Sequence, residues 1–201
     1  MTQSNKTLRN LILSVAAFFV LAAVAMFVID QARKSREQIP VLGQLPEFQF
    51  TEQSGAPFGL QDMKGKLNVV DFIFTHCKGP CPIMASKMSS LYKAFEGSNK
   101  VQLISISVDP ERDSLPVLRE YAERQGVTDN RWVFLRAPIE QVVDLSENGF
   151  MLAAEDLPGN HTTKFVLVDE RGQIRGYFDG LSDASINILK GQISQLAREL
   201  P

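Results

Sequence analysis

The stretch VVDFIFTHCKGPCP, residues 69–82, contains both cysteines of the chain directly after a mostly apolar run. The run from Val69 to Phe74 is interrupted only by Asp71, and an apolar run of this length predicts a buried strand. Three residues separate the two thiols, so the sulfurs lie about one helical turn apart if Cys81 opens a helix. At that spacing the pair can bind one metal ion or close a disulfide.

The sequence around this stretch alternates short β-rich runs with helical patterns, which predicts an α/β fold with a central sheet. The predicted strands are Glu47–Thr51, Leu67–Phe74, Val101–Val108 and Arg131–Arg136, followed by a hairpin of Lys164–Asp169 and Gln173–Phe178. The predicted helices are Pro82–Phe95, Ser114–Gln125, Ile139–Ser146 and Ala184–Leu200, and Gly55–Gly65 is predicted to be a turn-rich loop. The cysteines then follow the carboxyl end of a central strand, where ligands usually bind in open α/β sheets.

A second apolar segment lies near the amino terminus. Residues 11–29, LILSVAAFFVLAAVAMFVI, contain one polar residue, Ser14, and have the length that a bilayer-spanning helix needs. We therefore predict a short amino-terminal segment at 1–10, a transmembrane anchor at 11–29, a linker at 30–45 and a folded domain at 46–201. A cleaved signal peptide is the alternative reading of the apolar segment, but its apolar region would be shorter.

Flanking charges leave the orientation of this anchor nearly balanced. Lys6 and Arg9 precede the segment, and three basic residues between 33 and 36 follow it. If the amino terminus is cytoplasmic, the domain faces an oxidising space, where a dithiol is better explained as a redox or metal site than as inert core thiols. The net charge of −2 gives no support for nucleic-acid binding.

Three motifs together resemble the Sco/SenC proteins. They are Cys77-x-x-x-Cys81-Pro82 after an apolar strand, SVDPERD at 107–113 and HTTKFVLVD at 161–169. Their order and intervals also match, and the resemblance covers essentially all of residues 45–200. It implies a thioredoxin-like α/β fold with a central mixed β-sheet flanked by helices, and a soluble domain on the periplasmic or equivalent extracytoplasmic side.

The same resemblance implies function and site residues. Sco/SenC proteins bind copper and help to load or reduce the binuclear copper centre in the second subunit of cytochrome c oxidase. By residue match, the copper ligands are Cys77, Cys81 and His161. The expected partners are a copper-accepting protein such as cytochrome c oxidase subunit II, other copper chaperones and thiol reductants. One departure is Asn160, where the family often has an acidic residue.

The chemistry of these residue types also favours copper. Two soft thiolates and one imidazole suit Cu(I), and with an added oxygen ligand they also hold Cu(II). A structural zinc site would normally need a fourth protein ligand. The other histidine, His76, is expected to lie outside the ligand set, and the carboxylates between 109 and 113 are expected to form a turn and cap a helix.

Two function classes remain open. In a copper metallochaperone, the three ligands hold the metal and pass it on by ligand exchange. In a thiol-disulfide oxidoreductase, Cys77 attacks a disulfide and Cys81 resolves the product. The spacing of three residues between the cysteines and the histidine motif favour copper. For either class the helix amino terminus is expected to lower the thiol pKa values. A purely structural disulfide across so short a loop would stabilise little.

Overall fold

The computed structural model describes residues 13–28, 39–77, 79–155, 157–159 and 161–200. The chain divides into two compact units, Met1–Ile39 and Pro40–Pro201. In the first unit, residues 13–28 form helix α1. None of the helices in the described ranges combines the length and the apolar character needed to cross a membrane. Both ends of the predicted anchor at 11–29 lie outside the described residues, and the anchor stays a prediction.

The second unit is built on a mixed sheet of eight strands in the described residues, ordered β1-β8-β7-β4-β5-β6-β2-β3. The strands are β1 Gly43–Gln44, β2 Gln49–Glu52, β3 Pro57–Gly59, β4 Leu67–Ile73, β5 Val101–Ser107, β6 Trp132–Arg136, β7 Lys164–Val168 and β8 Gln173–Asp179. Strands β4, β5 and β6 pair in parallel, and β7 pairs antiparallel with β4. The central position of β4 places its carboxyl end in the middle of one sheet edge.

The helices of this unit lie between strands, except for the last helix, which follows β8. They are α2 Leu60–Met63, α3 Cys81–Ala94, α4 Leu115–Arg124, α5 Ile139–Asp144, which continues into a π-helical turn at Leu145–Gly149, and α6 Asp183–Leu196. Helix α3 follows β4, with Pro80 at its N-cap position and Pro82 in its first turn. Proline suits this place because the first backbone N–H groups of a helix have no partner within it.

The observed elements confirm the predicted α/β class, with ends displaced by a few residues. Two differences concern short elements. Strand β3 and helix α2 lie in the stretch 55–65 that was predicted to be a loop, because Phe58, Leu60 and Met63 are buried there. Strand β1 lies in the predicted linker and pairs with β8, so packing begins before residue 46. These short elements were not predicted because two to four residues are too few to show a periodic pattern.

The central strands are buried on both faces of the sheet. One face, called here the apolar face, consists of Val70, Phe72, Ile104, Ile106, Val133 and Leu135. Alternate side chains point to the opposite face, called here the α3 face, and these are Asp71, Ser105, Trp132 and Phe134. Tyr92 of α3 packs on Trp132 with ring centroids 6.0 Å apart. Tyr121 of α4 packs on Phe134 at 5.7 Å, so these two helices cover the α3 face.

Candidate metal centre

The structure brings Cys77, Cys81 and His161 together at the carboxyl end of β4. Cys77 lies in the loop after β4, and Cys81 is the first residue of α3. His161 precedes β7, whose antiparallel pairing with β4 places the start of β7 beside the end of β4. One ligand atom from each residue lies within 4.8 Å of the other two. Three parts of the chain therefore meet in a cluster of two sulfurs and one nitrogen.

His161 is held in one orientation by its neighbours. Its Nδ1 lies 3.0 Å from the carbonyl oxygen of Thr162, and because a carbonyl only accepts, Nδ1 carries the proton and donates. The ring also packs edge-on against Phe74, at 5.4 Å between centroids. Nε2 is therefore left with its lone pair, 3.3 Å from the sulfur of Cys81. Burial lowers the pKa of His161, which favours the neutral form that binds metals.

The two thiols differ in exposure. Both are free, with Cys77 partly exposed and Cys81 buried. Burial and the neighbouring Cys77 raise the pKa of the Cys81 thiol to about 12, although a contact with the backbone of Phe74 opposes the rise. The expected lowering of this pKa is wrong for Cys81, because desolvation by burial is the largest influence on the thiol and raises its pKa. A metal ion that binds there has to displace the proton.

A buried carboxylate, Asp113, fixes the loop that carries Cys77. Its side chain is fully buried and accepts hydrogen bonds from the Thr75 hydroxyl at 2.6 Å and the Thr75 N–H at 3.2 Å. The Thr75 hydroxyl donates to Oδ1, whereas the Ser107 hydroxyl at the end of β5 donates at 2.6 Å to Oδ2, the oxygen that also accepts the Thr75 N–H. From the sequence, this carboxylate was predicted to form a turn or cap a helix. It instead joins two neighbouring strand ends beneath the site.

His76 lies beside this network and outside the ligand cluster. The Thr75 hydroxyl gives its one proton to Asp113, so the His76 ring N–H at 3.0 Å donates to that hydroxyl. The His76 side chain is 59 % exposed. Within the part of the chain that the structure describes, the clustered ligand types are Cys77, Cys81 and His161, and His76 is not among them.

Asp71 is a second buried carboxylate, and it was not among the predicted site residues. It is fully buried on the α3 face, and the Ser105 hydroxyl donates to its Oδ1 at 2.6 Å. The Trp132 ring N–H in turn donates to the Ser105 hydroxyl at 3.0 Å. Burial raises the pKa of Asp71 to about 7, and the hydrogen bond from Ser105 only partly opposes this rise. Its charge also adds to the raised pKa of Cys81. In the sequence, the sign of this residue's importance was a single acid within an otherwise apolar strand.

Comparison with known proteins connects this geometry to a family. The family described as SCO1/SenC matches residues 37–196. A putative copper-binding protein of Stutzerimonas stutzeri is 29% identical over 205 residues, which covers 92% of this chain and 97% of that protein. The crystal structure of a SCO1/SenC family lipoprotein from Bacillus anthracis superposes with a TM-score of 0.72 at 32% identity, covering 77% of this chain and 95% of that chain.

A second solved structure is that of BsSco, a member of the Sco family of cytochrome c oxidase assembly proteins in which a disulfide switch has been identified. It superposes with a TM-score of 0.70 at 25% identity and covers 79% of this chain and 96% of that chain. These similarities confirm the fold predicted from the motifs, a thioredoxin-like α/β fold with a mixed sheet flanked by helices.

Proposed function

The chain belongs to the SCO1/SenC family, and from that premise we propose that it binds copper through Cys77, Cys81 and His161 and serves in cytochrome c oxidase assembly. The observation that carries the proposal is the cluster itself, in which the three ligand atoms lie within 4.8 Å of one another. Two thiols and one neutral imidazole form a soft ligand set, which suits Cu(I) and, with an added oxygen ligand, Cu(II).

Copper is cargo in this proposal, and the difference in exposure between the ligands suits transfer. Cys77 is partly exposed, whereas Cys81 and His161 are buried. An incoming ligand of a partner therefore reaches the metal from the Cys77 side, while Cys81 and His161 keep it bound until exchange is complete. The partner is a copper-accepting protein such as cytochrome c oxidase subunit II, and other copper chaperones supply the metal.

The proposal also includes the location of the protein. A single-pass anchor at 11–29 would hold the domain at the membrane, on the periplasmic or equivalent extracytoplasmic side. The apolar length of residues 11–29 supports this part of the proposal. Protease treatment of intact spheroplasts tests it, because degradation of the domain is expected only if the domain lies outside the cytoplasm.

A second candidate function is thiol-disulfide exchange on the cysteines of the copper acceptor. It is favoured by two free thiols in one cluster, one partly exposed and one buried. The partly exposed Cys77 is accessible to attack a partner disulfide, and the buried Cys81 is placed to resolve the mixed disulfide. Reduction of the acceptor's cysteines would precede copper loading, so one site would serve both steps.

Anaerobic titration of the reduced full-length protein in detergent with Cu(I), against a competing chelator, tests the copper site. One copper ion per chain is expected. His161→Ala and Cys77→Ser are expected to weaken binding beyond the roughly 10- to 100-fold that loss of an outer contact costs a metal site. Glu96→Gln, at an exposed position after α3, is the control and is expected to leave the affinity unchanged, because Glu96 lies outside the cluster and its supporting network. Binding indifferent to His161 would overturn the three-ligand site.

A further inference from the structure

We propose that one edge of the folded domain lies on the surface of the lipid bilayer that holds the anchor. The surface consists of Val41, Leu42 and Met151 and is called here the edge patch. The inference rests on the anchor at 11–29 in the proposed function, and it adds a second contact with the membrane, made by the domain itself.

The edge patch exposes three large apolar side chains. Val41 is 53% exposed, Leu42 46% and Met151 52%. Among the described residues from 39 to 200, the other exposed large apolar side chains lie on α3, before α6 and on α6, and they are Ile83, Leu181 and Ile188. Exposed apolar residues that stand alone are ordinary, whereas a group of them marks an interaction site.

Direct contact makes the three residues one patch. Val41 and Leu42 are consecutive and lead into β1, and the Leu42 N–H donates to the carbonyl oxygen of Ile174 at 2.8 Å. The Met151 side chain lies against Gly43, the next residue, so closely that a Cβ atom there would be 2.6 Å from the methyl carbon of Met151. Met151 therefore lies beside β1, the outermost strand on its side of the sheet.

The exposure of Met151 is built into the fold. On one side of it, the Tyr177 hydroxyl donates to the carbonyl oxygen of Phe150 at 3.0 Å. On the other side, the Ser146 hydroxyl donates to the carbonyl oxygen of Leu152 at 3.0 Å. Between these fixed points Met151 has a φ of 54°, which is strained for a residue with a long side chain and persists only where the surroundings impose it. The fold therefore holds this apolar side chain in solvent.

The length of chain that precedes the edge patch identifies the bilayer as its occupant. Val41 follows residue 29, the last residue of the predicted anchor, by twelve positions. A chain of twelve residues spans at most about 40 Å when fully extended, so the patch always stays within that distance of the membrane. Tethering makes the contact intramolecular and raises its effective concentration, so three side chains suffice for a weak, reversible contact. A soluble partner protein has no such advantage.

Apolar insertion, and not charge, carries this contact. The residues between the anchor and the patch, 30–40, include three basic and two acidic side chains, so attraction to anionic headgroups adds little. Apolar side chains at a membrane surface enter the boundary between headgroups and acyl chains by about 5–10 Å. The contact is therefore expected with zwitterionic lipid and at high salt concentration.

The strand order gives this contact a consequence for the metal centre. From β1 the order is β8, β7 and then β4, and neighbouring strands lie about 4.8 Å apart. A sheet that stands on its β1 edge therefore holds β4, which leads to Cys77, about 14 Å above the bilayer surface. The domain would then present copper at a set height to an acceptor in the same membrane.

Quenching of tryptophan fluorescence by brominated lipid tests the inference. Full-length Leu42→Trp is reconstituted in phosphatidylcholine nanodiscs, with plain acyl chains or with chains brominated near the headgroup. In brominated discs the emission added by the substitution is expected to fall by about half, because a side chain at the interface reaches the brominated depth. Ile188→Trp, at a position 58% exposed on α6, is the control and is expected to emit equally in both discs. Trp132 is buried and contributes the same background to every variant.

A charge placed in the edge patch tests whether its members act together. Met151→Asp in the Leu42→Trp protein is expected to abolish most of the quenching, and aspartate is among the residues that best tolerate a positive φ. Ile83→Asp, at a position 50% exposed on α3, is matched to it in charge and exposure and is expected to leave the quenching unchanged. Quenching is also expected to persist at high salt concentration.

The outcomes keep the anchor and the edge patch apart. Protein that elutes apart from the discs would remove the anchor, and this inference with it. Protein that stays with the discs, with equal emission of Leu42→Trp in both lipids, would overturn the edge patch and leave the anchor intact. Equal quenching after Met151→Asp and Ile83→Asp would also overturn it. Discs are used in excess over protein, so a patch that needs a second copy or another protein to cover it would stay unquenched.

Discussion

The two faces of the central sheet are built on the same strands and bury different chemistry. On the apolar face, the six side chains named above are hydrocarbon and at most 2% exposed. On the α3 face, Asp71 and Ser105 are buried to the same degree. Apolar burial stabilises the fold, whereas a buried carboxyl group costs stability unless it is fully hydrogen-bonded. The α3 face also buries large apolar side chains, Trp132 and Phe134, so the two faces differ in the buried carboxyl group of Asp71, which makes the α3 face the more costly one to bury.

Truncation on the apolar face gives the largest expected effect. Phe72 is 1% exposed and packs edge-on against Phe150, at 5.6 Å between centroids. Phe72→Ala is expected to lower the free energy of unfolding by about 3–5 kcal/mol, the cost of a large cavity in a core. Urea denaturation of the full-length protein measures it. Ile188→Ala, at an exposed position on α6, is the control and is expected to change stability by less than about 0.5 kcal/mol.

Removing the buried acid from the α3 face is expected to act in the opposite direction, and only above acidic pH. The pKa of Asp71 rises on folding from 3.8 to about 7, so the folded state binds the proton more tightly than the unfolded state. Wild-type stability should therefore fall as pH rises from 4 to 7, by up to about 4 kcal/mol. Asp71→Asn should lack this fall.

The measurement is the unfolding free energy of both proteins across that pH range. The two are expected to be similarly stable near pH 4 and to diverge toward pH 8, with Asp71→Asn the more stable. Parallel pH dependence in the two proteins would mean that the α3 face tolerates an ionised Asp71 without cost, and the contrast between the faces would be lost.

A smaller effect on stability is expected from replacing Asp113, which joins the ends of β4 and β5. Asp113→Ala leaves the donors on Thr75 and Ser107 unpaired, which should cost about 1–3 kcal/mol. The loop of Cys77 should loosen, so Cu(I) affinity is expected to fall about tenfold, as for other outer contacts of metal sites. Asp113→Asn, which keeps the shape and one acceptor, is expected to lose less of both. Equal copper affinity in all three proteins would contradict a positioning role for this residue.

Much of the fold could be predicted because its central elements are long and apolar. Strand β4 is a nearly continuous apolar run, and a helix beginning at Cys81 is close to the predicted start at Pro82. The ligand cluster was predicted from motif resemblance, since nothing local to His161 distinguishes it from an ordinary loop histidine. The structure adds the spatial reason, which is the antiparallel pairing of β7 with β4.

The features that were not predicted depend on tertiary contacts that the sequence does not reveal. Asp71 meets Ser105 across 34 positions, and Asp113 meets Thr75 across 38. An acid in an apolar strand is visible in the sequence, but its hydrogen-bond partner is not. The high pKa of Cys81 has the same origin, because it comes from burial beneath tertiary contacts and not from its place in the helix.

The contact between Cys81 and His161 joins positions that are 80 residues apart in sequence. A copper ion bound across it acts as a cross-link that closes a long loop, and a cross-link of that kind restricts the unfolded chain more than a local one does. Any ligand that binds only the folded state raises its stability in proportion to the logarithm of its concentration. Under the proposed function, delivery of copper would therefore also remove this cross-link, and the copper-free protein would be more exposed to unfolding and proteolysis than the copper-bound protein.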